Sequence, residues 1–182
     1  MNEKLTKQLF DKYPLIFQNK DLPDSKSRIC DGFRCDDGWY DLIDILCATL
    51  EVPKTFVNQI PCWADDYPHE YFRFFWPQVV AFQVKEKLAR LVFYYDLKFC
   101  QEFEDQSREF LKTGMALEKR AWEYCNGAIA MAANMSEKTC EITGLPGFKC
   151  ISRSGVWYKT LCEEKAKELG FERLVEKSGS GS

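Results

Sequence analysis

The chain has 182 residues, a net charge of −3, and 46% hydrophobic and 15% aromatic residues. That much aromatic surface excludes a disordered chain, and the acidic balance argues against a general polyanion-binding surface, although 25 lysines and arginines leave room for a local basic patch. Nine cysteines without a secretory leader, and no apolar run near the roughly 20 residues that span a bilayer, predict a reduced cytosolic protein whose thiols are mostly small core residues.

Leu5, Leu9 and Tyr13 recur at helical spacing and predict a helix over residues 3–13, ended or bent by Pro14. Residues 18–30 are polar and turn-rich and read as a loop. Asp36 or Asp37 then offers an acceptor to the exposed N–H groups of a second helix. In that helix Trp39, Leu42, Ile43, Leu46, Cys47 and Leu50 share one face, and Pro53 stops it. Asp36, Asp37, Asp41 and Asp44 read as a cap and a solvated face; a carboxylate metal site is the sharper alternative, but the Gly and Glu spacing of a calcium loop is missing.

Residues 54–77 are dense in aromatics, broken by Pro61, Pro68 and Pro77, and contain the only histidine, His69. They predict an irregular segment with a short helix at 68–75. In residues 78–96, Val80, Phe82 and Val84 alternate with polar residues, as do Leu91, Phe93 and Tyr95 around theirs. This pattern fits a helix as well, but β-branched and aromatic enrichment favours a hairpin turning near Leu88 and Ala89. Residues 98–135 carry a helical stripe of Phe99, Phe103, Phe110, Leu117, Ala121, Cys125 and Ala132, with a kink or break expected at Lys112-Thr113-Gly114. The small side chains from Gly127 to Ala133 predict a buried stretch. Residues 139–162 are turn-rich, and a last helix is expected from about Lys159 to Leu169, closed by Gly170. The whole predicts an α+β fold in one domain over 1–177, with helices packed on a small antiparallel sheet or hairpin, and a Gly-Ser linker at 178–182.

Known catalytic signatures are missing: no phosphate-binding glycine loop, no nucleophile elbow, no zinc-protease helix. Cys30 and Cys35 are too far apart for a Cys-x2-Cys redox pair, and a Ser-His or Cys-His pair could use only His69, with Cys62 seven residues before it. These absences predict a protein that acts by binding, with no cofactor; an enzyme using Cys62 and His69 or an acidic cluster is the least favoured alternative. The candidate ligand-binding residues are cations and aromatics: Lys85, Lys87 and Arg90 near Tyr94 on the hairpin, and Arg153, Trp157 and Lys159 in the late loop. Guanidinium and ammonium groups hold phosphates, aromatic faces stack on bases, and Ser154-Gly155 lets backbone N–H groups approach an anion. The competing reading is a solvated lysine face with Trp157 in the core.

Four strings are familiar as a set: CDGFRCDDGWYDLID at 30–44, QVKEKLARLVFYY at 83–95, MSEKTCEITGLPG at 135–147 and GVWYKTLCEEKA at 155–166. Together they resemble a group of small bacteriophage proteins, mostly of unassigned function. The resemblance leaves out about 51–75 and 97–125, which look variable or inserted. In that group the C-terminal part resembles a small zinc ribbon. Here Cys140 matches the first ligand and Cys162 the third, while Thr143 and Lys165 stand where the second and fourth should be. Structural zinc takes four Cys or His ligands, so the resemblance implies a ribbon-like turn that has lost its metal, held by packing of Trp157, Leu161 and the terminal helix. Ala89 also stands where the group usually has glycine. The phage context leads to the functional expectation: a binding protein in the host cytoplasm, possible as a homo-oligomer and without membrane association, that counters host defence by sequestering a nucleotide-like signal or by blocking a host defence protein. A degenerate zinc-ribbon module binding nucleic acid is the alternative.

Overall fold

The computed structural model describes residues 1–23, 26–51, 76–100 and 111–174. The expectations for most of the aromatic segment, including His69, Cys62 and the helix at 68–75, and for Phe103 and Phe110, lie outside these residues. Within them the order is α1 (Glu3–Lys12), α2 (Tyr40–Leu50), β1 (Gln78–Glu86), β2 (Leu91–Lys98), α3 (Leu111–Ser136), β3 (Phe148–Ser152), β4 (Tyr158–Leu161), α4 (Glu163–Leu169) and β5 (Phe171–Arg173). The fold is α+β, with one antiparallel pair, β1–β2, and one antiparallel sheet in the order β4–β3–β5.

Local chemistry explains most boundaries. The side chain of Asn2 accepts the Leu5 N–H and caps α1, and Tyr13 closes it just before Pro14. The apolar stripe from Trp39 to Leu50 is buried as the spacing predicts, and α2 is entered through a 3₁₀ turn at Asp37–Trp39. Asp36 stands at the cap of that turn, but neither it nor Asp37 makes a side-chain cap bond. Asp36 pairs instead with Lys159, and Asp37 accepts from the backbone and side chain of Asn2 at 2.7 Å each. Asp44 is likewise engaged, by Lys12 at 2.8 Å and by the Tyr13 hydroxyl. Gly170, with φ of +70°, ends α4 in the left-handed conformation expected of it.

The main core joins α1, the 3₁₀ turn at Arg28–Asp31, α2, the β1–β2 hairpin and α3. Phe17 and Phe33 meet edge to face at 5.3 Å, and Tyr95 packs at a tilt against Trp122 at 4.9 Å. Each fully buried large side chain, Trp39, Phe17 and Ile43 among them, contributes about 1.5–3 kcal/mol by leaving water. A smaller cluster of Cys140, Cys150, Leu161, Cys162 and Ala166 lies beneath β3, β4 and α4.

Three expectations are corrected. Residues 111–136 form one uninterrupted helix, without a break at Lys112-Thr113-Gly114, and Lys98 belongs to strand β2 rather than to the helix. The small-residue stretch is not buried throughout: Gly127, Ala130 and Met131 face solvent, Ala128 and Ile129 are partly covered, and Ala132 and Ala133 are buried, since α3 packs by one face against α2 and β2. The terminal helix starts at Glu163 rather than Lys159. Tyr158–Leu161 are in strand β4, paired with Phe148–Ile151.

The hairpin forms where expected, with an extra residue at Phe82 that shifts the register between Ala81–Tyr95 and Gln83–Tyr94. Its turn carries Leu88 at φ +55° and Ala89 at φ +61° with no glycine, at a cost of about 1 kcal/mol or more per residue. Three contacts hold it: Lys87 and Arg90 bond each other's backbone, the Ala89 N–H donates to the Glu86 carboxylate, and the Thr160 hydroxyl donates to the Ala89 carbonyl at 2.9 Å.

Candidate functional site

The four strings singled out in the sequence meet in space. Gly38 N–H donates to the Glu141 carbonyl at 2.7 Å, and the Trp39 indole donates to the Thr139 carbonyl at 2.8 Å. Arg34 bridges to β1 through Val84 and Glu86, and the Ser136 hydroxyl accepts the Leu91 N–H at 2.8 Å. A Cβ on Gly38 would lie 2.4 Å from both the Cys140 carbonyl oxygen and the Gly144 nitrogen, so only glycine permits this approach. The junction joins the first helices, the hairpin turn and the ribbon-like end of the chain.

Beside it lies a compact ionic cluster. Lys159 Nζ is 2.7 Å from the Asp36 carboxylate and 3.1 Å from that of Glu141, whose other oxygen accepts the Asp36 N–H at 3.1 Å. Glu141 is 2% exposed. Burial pushes its carboxyl above the ordinary value and Asp36 adds to this, while Lys159 pulls it back without cancelling the effect. Burial by itself lowers Lys159, but the two carboxylates hold its ammonium above its ordinary value. Lys159, a predicted ligand residue, is therefore committed to holding the fold. Nothing in the sequence marks Glu141 as its partner, because a glutamate between Cys140 and Ile142 in a turn is ordinarily solvated.

The other predicted ligand residues do not converge on one pocket. Lys85 sits over the Tyr94 ring at 5.2 Å, a cation–π pair on the hairpin surface. Lys87 is exposed at the turn. Arg90 donates to Asn134 and pairs with Glu137 at 3.5 Å. Arg153 and Trp157 lie at the tip of the β3–β4 hairpin. Trp157 is 70% exposed and the adjoining Val156 64%, so the expected packing of Trp157 in the core is overturned. The tip is ordered by its own bonds: Ser152 N–H donates to the Trp157 carbonyl, Trp157 N–H to the Ser152 hydroxyl, and Gly155 N–H to the Ser152 carbonyl. Leu161, by contrast, is buried as expected.

The residues at the ribbon-like turn do not fit zinc. Cys140 and Cys162 are buried, but Thr143 sends its hydroxyl toward the Cys162 sulfur at 3.8 Å, and Lys165 pairs with Glu168. Among the described residues no group of three or more His, Cys, Asp or Glu side chains could hold a metal ion. Burial raises the Cys140 thiol, yet the Thr143 hydroxyl and the N–H groups of Cys162, Thr143 and Ile142 more than offset it, leaving Cys140 below its ordinary value. The natural protein is expected to retain no zinc in native mass spectrometry after incubation with excess metal, whereas Thr143→Cys combined with Lys165→Cys should acquire one tightly held ion. Stoichiometric zinc on the unaltered chain would contradict this.

No protein-family model, curated protein or solved structure matches this chain.

Proposed function

We propose that this is a phage-encoded binding protein that blocks a host protein, in keeping with an anti-defence role, and that the β3–β4 tip makes the contact. The bacteriophage resemblance supplies the biological context. The observation that carries the mode of action is the exposed Val156-Trp157 pair. A tryptophan with its ring in water is costly unless a partner covers it, and tryptophan is among the residues that dominate binding energy at protein interfaces. The tip is held in place before binding, which lowers the ordering cost of association. Arg153, exposed on the same turn, adds a cation at the edge of the patch. The scattered positions of Lys85, Arg90, Trp157 and Lys159 favour this surface reading over enclosure of a nucleotide by those residues.

A photo-crosslinking amino acid placed at position 156 and expressed in infected host cells tests the reading. A discrete host adduct is expected, and Trp157→Ala is expected to weaken capture roughly tenfold or more, the scale of an interface hot spot. Equal capture by the alanine variant, or no adduct, would refute it.

A further inference from the structure

A groove of about 850 Å³ lies where α3 ends, lined by Glu137, Lys138, Pro146, Gly147, Phe148, Lys149, Arg173 and Leu174. None of these residues was among the predicted ligand set. Its lining holds three cations and one carboxylate, in a protein whose net charge is −3. Glu137 does not cancel them evenly. Its carboxylate is 2.9 Å from Lys149 and 3.5 Å from Arg90, which approaches from the hairpin turn outside the groove. Lys138 and Arg173 therefore carry the excess, and among the described residues neither has a carboxylate partner. The Arg173 guanidinium stacks over the Phe148 ring at 4.6 Å, which fixes its plane at little entropic cost. The groove walls are built on regular backbone: the Gly147 N–H donates to the Lys138 carbonyl at 2.8 Å and the Leu174 N–H to the Lys149 carbonyl at 2.9 Å.

We propose that this groove binds a small phosphate-bearing molecule of nucleotide size. Two unpaired cations facing one cavity, one of them a planar guanidinium already oriented by an aromatic ring, match a phosphate's several acceptor oxygens. The volume falls within the range of small-ligand sites. The bounded groove and the acidic balance of the chain favour a small anion over a nucleic-acid strand, which requires a longer basic track. The site is separate from the Trp157 tip and its occupancy does not depend on the blocking role.

The test is titration of the full-length protein with ADP and with inorganic pyrophosphate, followed by calorimetry and by amide chemical shifts. Both probes are expected to bind and to shift the amides of Lys138, Lys149 and Leu174. Lys138→Glu combined with Arg173→Glu should weaken ADP by at least roughly tenfold, about 1.4 kcal/mol, with an unchanged thermal melt. Lys7→Glu, at an exposed cation on α1, should leave affinity unchanged; equal loss in both variants would mean a charge effect of the whole surface and would overturn the site. Absence of ADP binding at millimolar concentration would also overturn it. So would tighter, salt-sensitive binding of a single-stranded oligonucleotide than of ADP, which would assign the groove to nucleic acid.

Discussion

Gly38→Ala is expected to destabilise the protein by about 3 kcal/mol or more. The new methyl group would sit 2.4 Å from the Cys140 carbonyl oxygen and the Gly144 nitrogen, and 2.7 Å from the Glu141 carbonyl oxygen. All three are backbone atoms, so no side chain can rotate away. Relief requires the 140–144 turn to withdraw, and that breaks the Gly38-to-Glu141 and Trp39-to-Thr139 hydrogen bonds. Urea unfolding measures the loss. Gly127→Ala is the matched control: it lies on α3 with nothing within 4 Å of the added carbon. That change should be neutral or stabilise the helix by up to about 1 kcal/mol. A Gly38→Ala protein as stable as the Gly127→Ala protein would mean that the two parts of the chain do not meet as described.

The second large effect concerns Lys159. Replacement by methionine keeps the aliphatic stem but leaves Glu141 buried without its cation, a loss expected to reach about 3 kcal/mol near neutral pH. The pH dependence gives the mechanism away. In the folded protein Glu141 already binds its proton more tightly than its ordinary value of 4.5, and without Lys159 it will bind it more tightly still. A carboxyl raised on folding means that the native state holds more protons than the unfolded one above 4.5, so stability falls as pH rises through that window. The deficit of Lys159→Met should therefore be small near 4.5 and grow toward neutrality. Adding Glu141→Gln should restore most of the stability at neutral pH, because no buried charge remains. A deficit independent of pH, or one that the double change does not relieve, would show that Lys159 acts through packing alone.

Much of the scaffold is legible in the sequence because it follows short-range periodicity. The Trp39-to-Leu50 stripe, the alternation on either side of Leu88 and the glycine after Leu169 each identify an element from fewer than about 15 neighbouring residues. Tyr158–Leu161 are harder to read, because four residues in front of a helix fit its periodicity as well as a strand's, and pairing with Phe148–Ile151 decides the matter. The candidate site residues depend still more on distance in the chain. Lys159 looks like a free ligand cation until the fold brings Asp36 and Glu141 to it. Trp157 looks like core by composition, yet β3 and β4 close on each other and leave it at the tip. Lys138, Lys149 and Arg173 are unremarkable singly and meet only because β5 returns alongside β3.

The hairpin turn also sets an order of events for the growing chain. Its two left-handed residues are held partly by Glu86, which is local, and partly by Thr160, which lies 71 positions away from Ala89. When β1 and β2 leave the ribosome, the second holder has not yet been made. Closing so long a loop carries an entropic cost, so the turn has its full set of holders only once β4 has formed. A strand made later in synthesis is thus the clasp that completes the support of a turn made earlier.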